Sequence, residues 1–408
     1  MRKTYFLILA FTLLMAVLNG CKFGGHYKAV VVTGQNNHNW KTSSPILKQL
    51  LEQTGIFSAE ILKTPEKGGD MSTFNPDFSK YDVVILDYSG DSWSEKTKTA
   101  FVEYVKNGGG VVIYHAADNS FPDWKEYTEM IGVGWGRTEK DGPYNYYSYA
   151  NNKRNEKLVV DTTAGKGGSH GQRHEFAVKI RNMDHPVTKG LPVIWFHGKD
   201  ELYSKLRGPA RNMEILATAY ADTSLGGTGR NEPVLITTTY GKGRVFHTTL
   251  GHTDPQGGPS MECVGFIVTF QRGAEWAASG KVTQKVPYDF PDAVCVSLRT
   301  NFREITLEDD LARIPGYDLT KSTKYFVNLQ NRIRAEGKTP ARLREFEKMM
   351  IKILESKEAT DEAKKLLLHE ISWMGSDLCI PVVRELAKDQ QLKESANYAL
   401  ARLQPVNE

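Results

Sequence analysis

Along the first two-thirds of the chain, apolar residues fall in short unbroken runs separated by stretches of helical periodicity. Lys28-Ala-Val-Val-Val-Thr33 reads as a strand, followed by the polar loop Gly34-Gln-Asn-Asn-His-Asn-Trp40. Thr42-Ser-Ser-Pro45 then opens a helix, a hydroxyl placed before an early proline. Ile46, Leu47, Leu50 and Leu51 give that helix one apolar face before Gly55. Ser58 to Thr64 predicts a second strand. Tyr81-Asp-Val-Val-Ile-Leu-Asp87 predicts a third, continuous enough for a parallel strand buried on both faces. Ser94 caps a helix running to Asn107, with Phe101, Val102 and Val105 turned inward. Gly108-Gly-Gly-Val-Val-Ile-Tyr-His115 is a glycine turn, a buried strand and a histidine where the strand runs out. This alternation predicts an α/β fold with a doubly wound, mostly parallel sheet.

A polar insertion at 136–172 interrupts the pattern. It contains Tyr144-Asn-Tyr-Tyr-Ser-Tyr149 and reads as a surface loop, a lid or a sugar-binding rim, since aromatic faces suit carbohydrate C–H groups. The sheet resumes with 176–180, a segment around Ile194-Trp-Phe-His197, then 213–217, 233–237 and 243–250. A helix over 260–279 closes the domain. The α/β domain is thus assigned to 28–281 and a connector to 282–306. Residues 307–408 form a small all-α domain whose segments, such as Cys379-Ile-Pro-Val-Val-Arg-Glu-Leu386, look like HEAT-type helical repeats. Repeats of this kind bury their apolar stripes only against neighbours.

The amino terminus carries an address. Arg2-Lys3 is a positive n-region and Tyr5 to Leu18 an apolar core. Leu18-Asn-Gly-Cys21 resembles a bacterial lipoprotein signal. Residues 1–20 are read as a signal peptide, Cys21 as the lipidated residue and 21–27 as a tether. That predicts an exported protein, lipid-anchored and facing the periplasm, with no later segment apolar enough to span a bilayer. The net charge of +4 includes Arg2 and Lys3, so the mature chain would carry about +2. Such a balance, with no basic stripe, gives no support for nucleic-acid binding. The remaining cysteines, Cys263, Cys295 and Cys379, lack zinc-site spacing and are read as structural.

Five clusters of ionisable or amide residues lie at predicted strand ends, where open α/β sheets bind ligands. They are Asn36, Asn37 and His38; His115 with Asp118 and Asn119; His170, His174 and Glu175; Asp200, Glu201 and Tyr203; and His247, His252 and Asp254. His170 and His174 have helical i, i+4 spacing, but Gly167, Gly168 and Gly171 argue against a helix and so against a zinc pair. His185, before Pro186, is read as structural, and His247 as either packed or functional. Imidazoles beside carboxylates suit proton transfer near neutrality. They also suit a divalent metal, although no H-E-x-x-H motif is present, so no cofactor is assigned and a metal remains open. No G-x-G-x-x-G follows the first strand, which leaves dinucleotide binding without support.

Several segments together resemble the ThuA-like (trehalose-utilisation) family, whose fold is glutamine amidotransferase-like and flavodoxin-like. They are Tyr81-Asp-Val-Val-Ile-Leu, Gly108-Gly-Gly-Val-Val-Ile-Tyr-His-Ala-Ala, Gly171-Gln-Arg-His-Glu-Phe, Asp184-His-Pro-Val-Thr-Lys-Gly-Leu-Pro192, Asp200-Glu-Leu-Tyr203 and Tyr240-Gly-Lys-Gly-Arg-Val-Phe-His-Thr-Thr-Leu-Gly-His252. His115 stands where amidotransferase-like folds carry a nucleophilic cysteine, and neither Cys nor Ser is present there, so thiolate amide hydrolysis is disfavoured. The resemblance implies sugar catabolism: a disaccharide or keto-glycoside substrate, and a partner oxidoreductase that makes the keto-sugar. It implies His115 or Glu201 as base, His252 as acid and Asp200 as a further catalytic carboxylate. Asn36, His38, Asp118, Asn119, His174, Tyr203 and Asp254 are the expected substrate contacts. The reaction would be isomerisation or glycosidic cleavage of a keto-sugar. A non-catalytic carbohydrate-binding scaffold and a metal-dependent hydrolase are the alternatives.

Overall fold

A computed structural model describes residues 27–149 and 155–403. The expected signal peptide and the lipidation residue Cys21 lie outside the described residues.

Five parallel strands form one half of the central sheet: β1 (Tyr27–Thr33), β2 (Phe57–Lys63), β3 (Val83–Leu86), β4 (Gly110–Tyr114) and β13 (Gly243–Thr248), in the order β2-β1-β3-β4-β13. The other half is antiparallel and continues from β13 through β12 (Asn231–Tyr240), β11 (Glu214–Tyr220) and β8 (His174–Ile180) to β9 (Ile194–Asp200). Successive side chains of the parallel strands go to opposite faces. Val31, Ile85 and Val112 pack with α1 (Trp40–Gln53) and α5 (Val264–Ser279). Val32, Val84 and Ile113 pack with α2 (Glu95–Lys106) and α3 (Lys125–Ile131). Both faces are therefore covered, as the unbroken apolar runs require.

The structure revises three sequence expectations. Helix α1 starts at Trp40, and Pro45 lies inside it. Pro45 and Lys41 both face solvent, so water can take the hydrogen bond that proline cannot make. Ser43 and Ser44 do not cap the helix but donate to the buried Asp87 carboxylate at 2.6 and 2.7 Å. The expected helix over 260–279 is broken at Cys263, whose backbone is extended (φ −63°, ψ 122°), into α4 (Gly258–Glu262) and α5.

The third revision concerns the insertion, which is not a loop. Its alternating tyrosines form β5 (Tyr144–Tyr149), which pairs antiparallel with β6 (Glu156–Asp161) and joins β12 at Asn231. Three of its four rings are not a free sugar rim either, and only Tyr149 is exposed. The Arg230 guanidinium lies over Tyr146 at 4.1 Å and over Tyr144 at 5.3 Å, and Arg181 lies over Tyr147 at 4.3 Å. Beside it, β7 (Ser169–His170) pairs with β10 (Tyr203–Ser204).

Six helices from α6 (Leu307–Arg313) to α11 (Lys393–Leu403) build an all-helical carboxyl-terminal region around its own core, centred on Leu329, Phe346, Met350, Leu367 and Ile371. The segment before it is more than a connector, since Phe290 and Phe302 are buried in the α/β core.

Helix α5 approaches the sheet closely because Gly265 and Gly273 leave room for rings. A Cβ at Gly265 would lie 2.1 Å from Trp195, and one at Gly273 2.1 Å from Phe246. Alanine gains about 1 kcal/mol of helix propensity, but overpacking costs about 1–3 kcal/mol. Urea denaturation of Gly273→Ala is therefore expected to show a net loss of stability, whereas a gain would refute close packing of α5.

Candidate active site

Four strands deliver residues to one point from their carboxyl ends. The loop after β1 brings His38, the turn after β4 brings His115, the end of β9 brings Glu201, and the loop after β13 brings His252. One donor atom from each lies within 4.8 Å of all the others. Glu201 Oε2 is 3.3 Å from His252 Nδ1, 3.5 Å from His38 Nε2 and 3.7 Å from His115 Nε2. The His38 ring stands edge-on to both His115 and His252, with centroids 4.7 and 4.8 Å apart.

Each imidazole is aimed by its surroundings. His115 sits at φ +45°, a strained turn for a residue with a Cβ. Its Nδ1 lies 2.6 Å from the Thr249 carbonyl. A carbonyl can only accept, so Nδ1 carries the proton and Nε2 turns a lone pair to the centre. Tyr203 stacks on the same ring at 4.4 Å. His252 turns Nδ1 inward, and its Nε2 is 3.9 Å from Asp254, which Arg173 clamps through two bonds of 2.7 and 2.8 Å. The His38 backbone N–H donates to Asn36 Oδ1, and Asn36 in turn donates to Asp87. Burial pushes the Asp87 carboxyl up to about 6, against the pull of Ser43, Ser44 and Asn36.

Asp200 is fully buried and does not face the centre. Its Oδ1 accepts the backbone N–H groups of Glu201 (2.7 Å) and His252 (3.0 Å). Its Oδ2 accepts Gly251 N–H (2.7 Å) and His197 Nε2 (2.7 Å). With four donors bound, Asp200 positions the site and is not the catalytic carboxylate expected from the sequence. Burial disfavours charge on His197, but Cys263 and Asp200 outweigh it and raise the imidazole to about 9. Burial also resists ionisation of Glu201, yet His115, His252 and His38 hold its carboxyl far below the usual carboxylate range.

Two expected substrate contacts, Asp118 and His174, stand apart from this centre. Asp118 is fully buried beside His247, whose Nε2 is 3.9 Å away, and burial pushes its carboxyl up to about 8 despite Arg137. Asn119 ends the same turn, and its Oδ1 is buried without a hydrogen-bond partner among the described residues. His174 pairs with Asp200 across the β8–β9 ladder, but its Nδ1 contacts the Gln172 carbonyl. Asn36, Tyr203 and Asp254 support the imidazoles. The sequence reading missed Asp87, Arg173, His197 and Thr249. Of these, Asp87 alone had a visible signal, a carboxylate closing an apolar strand.

The arrangement has a definite chemical capacity. Separations of 3.3–3.7 Å exceed ordinary hydrogen bonds of about 2.7–3.2 Å. They approach the roughly 3.3 Å edge of a tetrahedron whose donors lie about 2.0–2.1 Å from a zinc-like cation. Three imidazoles and a carboxylate form a ligand set that imidazole-preferring divalent metals take.

The His197–Asp200 pair makes a pH prediction. His197 rises from 6.5 to about 9 on folding, so its contribution is complete below pH 6.5 and is lost as pH rises through about 9. Unfolding free energy should fall across that window in the wild type and fall less in His197→Gln. Equal slopes in chemical denaturation would refute the pairing.

Residues 28–277 match the ThuA family model, described as trehalose utilisation. A ThuA-like protein of Parabacteroides merdae is 51% identical, the match covering 68% of this chain and 99% of that one, with a TM-score of 0.65. A ThuA-like protein of Bacteroides uniformis is 18% identical, with coverage of 65% and 96% and a TM-score of 0.43. No curated protein matches the chain. With more than half its length matched and the α/β architecture in place, the chain belongs to the ThuA, trehalose-utilisation family.

Proposed function

We propose that the protein is a divalent-metal-dependent enzyme of sugar catabolism acting on a disaccharide or keto-glycoside. The observation that carries this reading is the convergence of His38, His115 and His252 on Glu201 at spacings suited to a shared cation. Family membership supplies the carbohydrate. The four side chains would hold the ion, and by admitting the substrate carbonyl as a further ligand it would polarise that carbonyl.

A ketone beside a carbinol makes the intervening C–H acidic. Loss of that proton gives an enediolate. The enediolate either takes a proton at the neighbouring carbon, which is isomerisation, or expels a glycosidic oxygen, which is cleavage. All three imidazole contacts of Glu201 use Oε2, so we assign Oε1 as the acceptor of the C–H proton. The expected roles of His115 as base and His252 as acid give way to coordination, because the lone pairs that would move protons point at the shared centre. Thr249 and Asp254 serve as the outer partners that fix ring orientation.

Elemental analysis of protein purified without chelator is expected to give one equivalent of a zinc-like metal per chain. Incubation with 3-keto-trehalose in deuterated water should then give product labelled at carbon if the enediolate is reprotonated, or free glucose, its departing oxygen taking a solvent proton, with an unsaturated keto-sugar if the glycosidic oxygen is expelled. His115→Ala should lose both metal and turnover, and Asp254→Asn should weaken metal affinity about 10- to 100-fold. Full activity of metal-free protein would overturn the reading. The leader pattern at residues 1–21 supports export and a lipid anchor, and Cys21→Ser is expected to move the protein from the membrane fraction to the soluble fraction.

A further inference from the structure

A second feature lies on the same edge of the sheet. The loops after β1, β2 and β3 enclose a cleft of about 610 Å³, a size within the roughly 300–1,000 Å³ of small-molecule sites. Asn36 and Asn37 line it immediately before His38, and Trp40 lines it two residues after. The cleft and the His–Glu centre thus share one loop.

The charge of the lining is one-sided. Lys41, Lys63 and Lys67 border the cleft, and Glu66 is its one carboxylate. Among the described residues, none of these three ammonium groups has a carboxylate within 4.0 Å. Lys41 and Lys63 each place Nζ 5.7 Å from the Trp40 ring centre, which gathers two of the charges around one indole. The two amide side chains deepest in this corner are already committed. Gln35 bridges Pro65 and Asp91, and Asn36 bridges Asp87 and His38. The groups left for a ligand are therefore the three ammoniums, the Asn37 amide, the indole and the loop hydroxyls. A cleft walled by one sign of charge concentrates ligands of the opposite sign.

We propose that this cleft binds an anionic group, a carboxylate or a phosphate, carried on the second ring of the carbohydrate. The body of the ligand rests on the carbohydrate reading above, and the charge rests on the lysines alone. Lysine holds such a group as a point charge, without the fixed fork of arginine, which suits a flexible exocyclic substituent better than a rigid planar one.

Isothermal titration calorimetry of the full chain tests the proposal with three probes: trehalose, trehalose 6-phosphate and a glucuronosyl-glucose disaccharide. At least one anionic sugar is expected to bind ten times or more tightly than trehalose. That gap should shrink as salt rises from about 0.05 to 0.5 M. It should vanish in the combined Lys41→Gln, Lys63→Gln, Lys67→Gln variant, whose changes are all on exposed side chains. The two anionic probes separate phosphate from carboxylate. Equal affinity for neutral and anionic sugars, a gap that survives in the variant, or no binding of any probe would overturn the proposal. Inorganic phosphate binding as tightly as trehalose 6-phosphate would also overturn it, because the cleft would then not be a sugar subsite. Binding is read here without turnover or metal content, so a protein that fails to turn over keto-sugar can still pass this test, and the converse also holds.

Discussion

A buried carboxylate with four donors is the constraint on which the site depends. Asp200 lies at the end of β9, in the antiparallel half of the sheet, yet two of its donors come from the loop after β13 in the parallel half. A carboxylate buried without partners would be strongly destabilising, so the β9 end and the β13 loop are held together. Glu201 and His252 are consequently fixed relative to each other through backbone, before either side chain does anything. The raised His197 supplies the countercharge from behind.

Strand register completes the placement. Tyr114 pairs with Thr248 in the parallel β4–β13 ladder. The next residues along, His115 and Thr249, therefore leave the sheet side by side, and the Thr249 carbonyl meets the imidazole. On the other flank, Asp87 follows β3 and draws in Ser43, Ser44 and Asn36, which brings the loop of His38 against the sheet end. The two halves of the sheet contribute different things. The parallel half presents His38, His115 and His252, and the antiparallel half presents the acid that faces them.

Much of this was legible in the sequence. Continuous runs such as Val83–Leu86 and Val111–Tyr114 declare strands buried on both faces, and His115, Glu201 and His252 stand where those runs and their counterparts end. The role of Asp200 was not legible. Aspartate at a strand end looks the same whether it faces substrate or backbone, and only long-range pairing decides between them. Asp118 and His174 were equally opaque: Asp118 is buried with no hydrogen-bond partner among the described residues, and the His174 ring is held by the Gln172 carbonyl two residues before it. The tyrosines of the insertion misled differently. Tyr144-Asn-Tyr-Tyr-Ser-Tyr149 is compositionally loop-like, but it forms a strand between β6 and β12, and arginines 230 and 181 lie over Tyr144, Tyr146 and Tyr147. The leader lies outside the described residues, and its reading rests on sequence pattern.

The backbone of His115 carries a consequence for how such proteins diversify. Its φ of +45° comes from the sharp exit of β4 into the following turn, a property of the scaffold and not of the imidazole. The scaffold pays for that conformation whichever side chain stands there. The position therefore works as a socket: a thiol placed in it would face the same strand-end crevice as an attacking group, where the imidazole instead offers a lone pair. A change of reaction type in this architecture then needs few substitutions at the socket and its rim, while the sheet, its two apolar faces and the carboxylate that ties its halves together are inherited intact.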